Sequence, residues 1–319
     1  MLLACGLLRA QELPQNPAPP KSAAPLSAAP KPVRPPASGN DDTHQKAAEP
    51  SPQPSGPASA SKEKVPGAAE RHFRQAISYE RDGEPDAAID EYKDAIHEYP
   101  DYAAAHYNLG RLYLDRQGYA NAIKELQEAV RLKPTDAEAH NNLGLARKHN
   151  NDFSGAITEY QEAIRLNPKM VSAQNNLANI LYARRDYAGA VQHYRAALEL
   201  DPKNAKTRMN LASVLDDAGK PDEAIQEYKQ ALKLDPKNAS IHYNLAVVYQ
   251  KKRDLPDAIA ELKETAKLSP DWPTPHIVLS NLLRDSDPKA ALDECMAADG
   301  LTHDAKLHDR CLEMQRTIQ

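Results

Sequence analysis

The sequence predicts an all-α fold: a right-handed superhelical solenoid of antiparallel helix pairs with a C-terminal capping helix, preceded by a disordered Pro/Ala-rich segment. Three observations predict it. Pro100, Pro134, Pro168, Pro202, Pro236 and Pro270 each stand 34 residues apart. Within that period apolar residues recur at helical spacing, as Leu109, Leu112 and Tyr113 do. The composition also changes abruptly near residue 69, from Pro, Ala and Ser to Ala, Leu, Tyr, Asn and charge. A repeat of this length is the signature of stacked units that each contact only their neighbours. That escapes the size limit of a single-core domain, which roughly 250 residues would otherwise exceed.

Of the 26 prolines, 14 fall between Pro14 and Pro66, and no aromatic residue precedes Phe73. Residues 11–66 therefore offer too little apolar surface to offset the entropy of ordering them, and are expected to be a disordered linker. Residues 1–10 carry the only apolar run before the repeats. They resemble the end of a secretory signal, with Leu8-Arg9-Ala10 near a small-residue cleavage site, although a basic leading region is lacking. Leu2-Leu3-Ala4-Cys5 also resembles a lipoprotein box in which Cys5 would carry a lipid anchor. Export to a periplasmic, secreted or envelope-associated location is the expectation, and an ordinary cytoplasmic chain with an accidental apolar start is the alternative.

Cutting at the period gives six units, 69–102, 103–136, 137–170, 171–204, 205–238 and 239–272. The seventh residue after the first unit is Leu109, Leu143, Leu177, Leu211 and Leu245. The eighth is small throughout, from Ala76 and Gly110 to Ala246, and the twentieth is always alanine. The twenty-fourth is bulky: Tyr92, Leu126, Tyr160, Tyr194, Tyr228 and Leu262. The twenty-seventh is alanine except at Thr265. Small residues let two helix backbones approach, and the bulky one fills the neighbouring gap. The proline ends the second helix, and Asp136, Asn204 and Asn238 stand where the next helix needs a cap. These residues resemble the tetratricopeptide repeat (TPR) family over 69–272. The fourth position, often tryptophan in that family, holds His72, His106, His140, Gln174, Arg208 and His242. The resemblance implies a TPR array that binds other proteins.

Residues 273–319 read as a degenerate seventh unit, one residue short, and a polar-faced capping helix over 304–318. Cys295 falls at the bulky position of the last pair and Cys311 on the cap. A Cys295–Cys311 disulfide is the expectation, with two free buried thiols as the alternative. A metal site from Cys295, His303, His308 and Cys311 matches no compact finger.

The first helices should line the concave face. Their sixth position is Asn108, Asn142, Asn176, Asn210 and Asn244, although asparagine costs about half a kcal/mol relative to alanine inside a helix. A primary amide donates and accepts at once, so such a ladder can pair with an extended peptide backbone. The pattern resembles the ladders of the O-linked N-acetylglucosamine transferase repeats and of kinesin light chains. Tyr107, Asn141, Asn175 and Tyr243 at the fifth position, with Arg111 and Asn179, complete the candidate groove. The competing reading is that the amides bond to adjacent helices. Lysine or arginine at set inner positions, which some relatives use to clamp a terminal carboxylate, is missing.

The net charge of −5 is interleaved in sign, which argues against nucleic acid, and no apolar stretch reaches spanning length. No phosphate loop, nucleophile elbow or paired-cysteine motif occurs, so neither an enzyme nor a cofactor is expected. The histidines recur too far apart to share a metal and are expected to pack between helices. Glu125 and Glu128, or Glu223 and Glu227, are expected to be solvated charge. The leading function is a non-catalytic scaffold holding a protein or peptide of unknown identity. The alternative is a structural or assembly subunit of an envelope complex, binding by its convex face or its ends.

Overall fold

The computed structural model describes residues 65–302 and 304–318. The expected signal, lipid-anchor and linker segments up to residue 64, and His303, lie outside them. The described residues form fifteen helices. They are α1 (Gly67–Asp82), α2 (Pro85–Glu98), α3 (Ala103–Asp115), α4 (Tyr119–Leu132), α5 (Ala137–His149), α6 (Phe153–Leu166), α7 (Val171–Ala183) and α8 (Tyr187–Leu200). There follow α9 (Ala205–Asp217), α10 (Pro221–Leu234), α11 (Ala239–Lys251), α12 (Leu255–Leu268), α13 (Pro273–Leu283), α14 (Pro288–Thr302) and α15 (Ala305–Ile318).

Each odd-numbered helix from α1 to α13 packs on the helix after it, and each pair packs on the next, so the architecture is an all-α solenoid of antiparallel pairs. The pairing follows from the repeating small and bulky residues. Ala122, Ala156, Ala190 and Ala224 are fully buried, as are the side chains of Tyr160 and Tyr194. At Gly144 the approach is so close that a Cβ would lie 2.7 Å from the Tyr160 ring. Further contacts run from α3 to α5, α5 to α7 and α9 to α11. The first helices therefore approach one another along the inner, concave wall, while the second helices splay outward.

Helix ends are set by local chemistry. Asp136, Asn204 and Asn238 cap α5, α9 and α11 by accepting backbone N–H bonds. Asp152, Asp186 and Asp254 do the same for α6, α8 and α12. The second helices stop at Leu132, Leu166, Leu200, Leu234 and Leu268, two residues before each proline. The turn inside each unit puts its fifteenth residue in the left-handed region, at φ between 61° and 77°. Only Gly83 and Gly219 are glycines there; Gln117, Arg185 and Arg253 pay steric strain. All three are exposed. Gln117→Gly, Arg185→Gly and Arg253→Gly are each expected to stabilise the array by about 1 kcal/mol. Urea midpoints check this, and lower midpoints in all three would refute it.

At the C-terminal end α15 packs on α14 as the first helix of another pair would. It buries Leu307 and Cys311, and the Cys311 and Cys295 sulfurs are bonded at 2.02 Å. At the other end the third and seventh residues of the first unit are Arg71 and Gln75, both exposed, where inner units bury Ala105, Ala139 or Leu143. Both ends of the array are thus polar.

Candidate binding groove

Side chains on consecutive first helices meet across the concave wall at an offset of 35 residues, one more than the period. Asn142 Nδ2 donates to the Tyr107 hydroxyl at 3.0 Å, and Asn176 Nδ2 donates to Asn141 Oδ1 at 3.2 Å. Farther along, Tyr182 donates to Asp217 at 2.6 Å and Lys251 to Asp216 at 2.5 Å. The fifth position of one unit is therefore the partner of the sixth in the next. The asparagine ladder is a partial seam between repeats, as the competing reading held for two of its members.

The five ladder residues are all half-buried. Asn108 lies near the Tyr92 hydroxyl. Asn175 Oδ1 accepts from Thr207 Oγ1 at 3.1 Å and not from Asn210. The residue 35 positions before Asn244 is Met209, which offers no strong acceptor. Asn210 and Asn244 have no side-chain hydrogen bond among the described residues. Asn142 and Asn176 each keep a second N–H after their inter-repeat bonds.

Of the other groove residues, one is placed differently from expectation and two are already bonded. Tyr243 does not face the groove: it is 1 % exposed, with its ring centroid 4.7 Å from that of Trp272 beneath the seventh unit. Arg111 is half-buried in ion pairs with Glu80 and Asp115. Burial opposes its charge, but Glu80 outweighs burial and holds its pKa above the ordinary value. Asn179 Oδ1 accepts from the Tyr194 hydroxyl at 2.5 Å. The ladder ends at Val278, buried at the sixth position of the seventh unit, and at Arg74, which pairs with Glu70.

The structure also reveals a clamp that the sequence reading missed. The fourth residue of each full unit bonds to the twenty-third, and in the shortened seventh unit to the twenty-second. His72 meets Glu91, His106 meets Glu125 and His140 meets Glu159, each at 2.7 Å. His242 meets Glu261 and His276 meets Glu294, each at 2.6 Å. Arg208 replaces the histidine opposite Glu227, and in one unit the order inverts, with Gln174 opposite His193. The second nitrogen of His106 lies 2.9 Å from the Pro100 carbonyl, and Arg208 likewise reaches the Pro202 carbonyl. The clamp thus ties both helices of a unit to the turn that precedes it. Glu125 is correspondingly not solvated charge: its side chain is 12 % exposed, whereas Glu128 and Glu223 do lie at the surface. Glu227 is likewise half-buried in its pair with Arg208.

Both nitrogens of His106 face oxygens that only accept, which favours the doubly protonated ring. Burial opposes that charge, but the Glu125 and Pro100 bonds outweigh it, and the His106 pKa lies above its ordinary value. Burial likewise works to raise Glu125, yet His106 and Lys124 hold it below the ordinary carboxylate value. Among the described residues one group, His72, Glu91 and Asp94, has potential metal-ligand atoms within 4.8 Å of one another. Its His–Glu contact is the first copy of the clamp.

A stack of helix pairs with a partly bonded inner seam is a scaffold, a class that works by presenting surface to partners. Tetratricopeptide repeat profiles match residues 73–137, 110–147, 141–205 and 193–226, and a TPR repeat profile matches 217–252. The chain belongs to the tetratricopeptide repeat family. Solved structures agree. The MamA protein is 26% identical, with a TM-score of 0.51 over 54% of this chain and 94% of that one. PilF of Pseudomonas aeruginosa is 22% identical, with a TM-score of 0.55 over 65% and 95%. YrrB, described as a TPR protein with an unusual peptide-binding site, is 22% identical, with a TM-score of 0.51 over 56% and 93%. No curated protein matches the chain. As a member of this family the chain is a non-catalytic scaffold for protein–protein interaction. No helix among the described residues is long and apolar enough to cross a membrane.

Proposed function

We propose that the solenoid holds an extended peptide, or an extended segment of a partner protein, in its concave groove through the asparagine ladder. The observation that carries this is the half-buried amide row, in which Asn210 and Asn244 have no partner side chain and Asn142 and Asn176 retain a donor. A half-buried amide gains most from a ligand that both accepts and donates, as a peptide backbone does. Asn142→Ala, Asn176→Ala and Asn210→Ala together are expected to weaken peptide binding by at least tenfold, about 1.4 kcal/mol. Alanine's helix propensity offsets part of the lost seam bonds, so circular dichroism should change little. Unchanged affinity would reject the ladder.

The alternative of an envelope assembly subunit that stacks end to end is less favoured, because it would take Arg71 and Gln75 out of water. We also propose that the protein is exported to an oxidising compartment, which the Cys295–Cys311 bond supports. Sequencing the mature N-terminus tests this, and an intact Met1 on the native protein would overturn it.

A further inference from the structure

We infer that the groove selects peptide segments without charge, an inference that rests on the ladder reading above. Most of the charged side chains along the middle of the concave wall are already engaged. Arg111 joins Glu80 of the preceding unit and Asp115 of its own helix. Lys251 joins Asp216 of the preceding unit, and Asp217 accepts from Tyr182. Lys148 has a partner of its own. Several of these groups are substantially shielded, with Asp216 at 11% and Glu80 at 20% exposure, so a charged ligand would have to separate an existing pair to gain a counter-ion.

Between the two charged stretches, apart from the engaged Lys148, the wall is built of amides and hydroxyls. Asn141 and Asn142 on α5 are followed by Asn175, Asn176 and Asn179 on α7. Their bonds to Tyr107, to one another, to Thr207 and to Tyr194 form a network of amides and hydroxyls with no net charge. Its exposed charges stand at the two ends, Glu138 on α5 and Lys206 on α9. An amide network solvates dipoles in any orientation. A lysine or glutamate side chain lying on it loses hydration and meets no opposite charge. The partner that fits is an extended stretch of small, polar, uncharged residues, bound mainly by its backbone.

The test uses the full oxidised chain and fluorescein-labelled peptides of about 14 residues, which at about 3.3 Å per residue span four units. One series contains only Ala, Ser, Thr and Asn. Two others replace a central pair with lysine or with glutamate. Anisotropy titrations are run at about 0.05 M and about 0.5 M salt. The neutral series should bind most tightly, with affinity constant to about twofold across that range. Either charged pair should weaken binding about tenfold. Charged peptides that bind as tightly as neutral ones, or neutral binding that collapses in salt, would overturn the inference. If charged peptides bind best and the triple asparagine variant abolishes that binding, the ladder stands and the charge inference falls. If no series binds, both fall.

Discussion

Reduction of the Cys295–Cys311 bond in the native protein is expected to release α15 while the upstream units stay folded. The two cysteines are 16 residues apart, and a loop of about that length contributes about 3 kcal/mol when closed. Only Leu307 and Cys311 are buried on that helix, with Met314 and the His308–Asp299 pair as further contacts. Stability in a repeat array is local, so the loss should stay at the end where it occurs. Backbone hydrogen exchange measures it directly. Protection over residues 305–318 should fall about a hundredfold in reductant, or in a Cys295→Ser/Cys311→Ser variant, with α3 to α10 unchanged. Equal protection in the oxidised and reduced protein would refute the assignment of the bond as the principal attachment. Loosened α15 would also uncover Ile277, Leu292 and Ala298, which now pack around the two sulfurs.

His106→Leu is expected to cost about 3 kcal/mol near pH 6, because it leaves the shielded Glu125 without its cation. The cost should depend on pH in both directions. His106 is raised in the folded protein, so its share is present in full below about 6.5, the unfolded histidine value, and fades as pH rises through the folded value. Glu125 is lowered, so its share is present in full above about 4.3, the unfolded glutamate value, and fades as pH falls through the folded value. The difference in urea midpoint between wild type and variant should therefore be greatest between those limits. A difference that is flat from pH 3 to 9 would show that packing, not the ion pair, carries the clamp.

The contrast between those two features shows what the sequence can carry. Helix pairs, their small and bulky contact residues and three of the N-caps were legible because each depends on one residue type at one position. The cap cysteines were legible for the same reason. The clamp was harder to read because it joins positions 19 residues apart whose identities exchange: Gln174 with His193 keeps the bond that His140 with Glu159 makes. Read singly, Glu125 looks like any helical acid; read against His106 it is half of a pair. The left-handed turn residue was missed because Gln117, Arg185 and Arg253 lack the glycine that marks it in other units. Tyr243 was misplaced because its burial is imposed by Trp272, a residue of the next turn, and not by anything in its own helix. In the groove, the offset of 35 between seam partners was invisible in a repeat of 34, since it arises from how neighbouring helices are set against each other.

The side-chain bond of each clamp lies wholly within one 34-residue cassette, and its outside acceptor is a backbone carbonyl that any residue would supply. Excising 171–204 would present the Pro168 carbonyl to Arg208 and bring Asn141 beside Asn210, the place that Asn176 now occupies. Whole-cassette gain or loss is thus a change of ruler length that breaks no clamp. Such an array can lengthen or shorten by recombination in steps of one unit, fitting the reach of the groove to the length of what it holds.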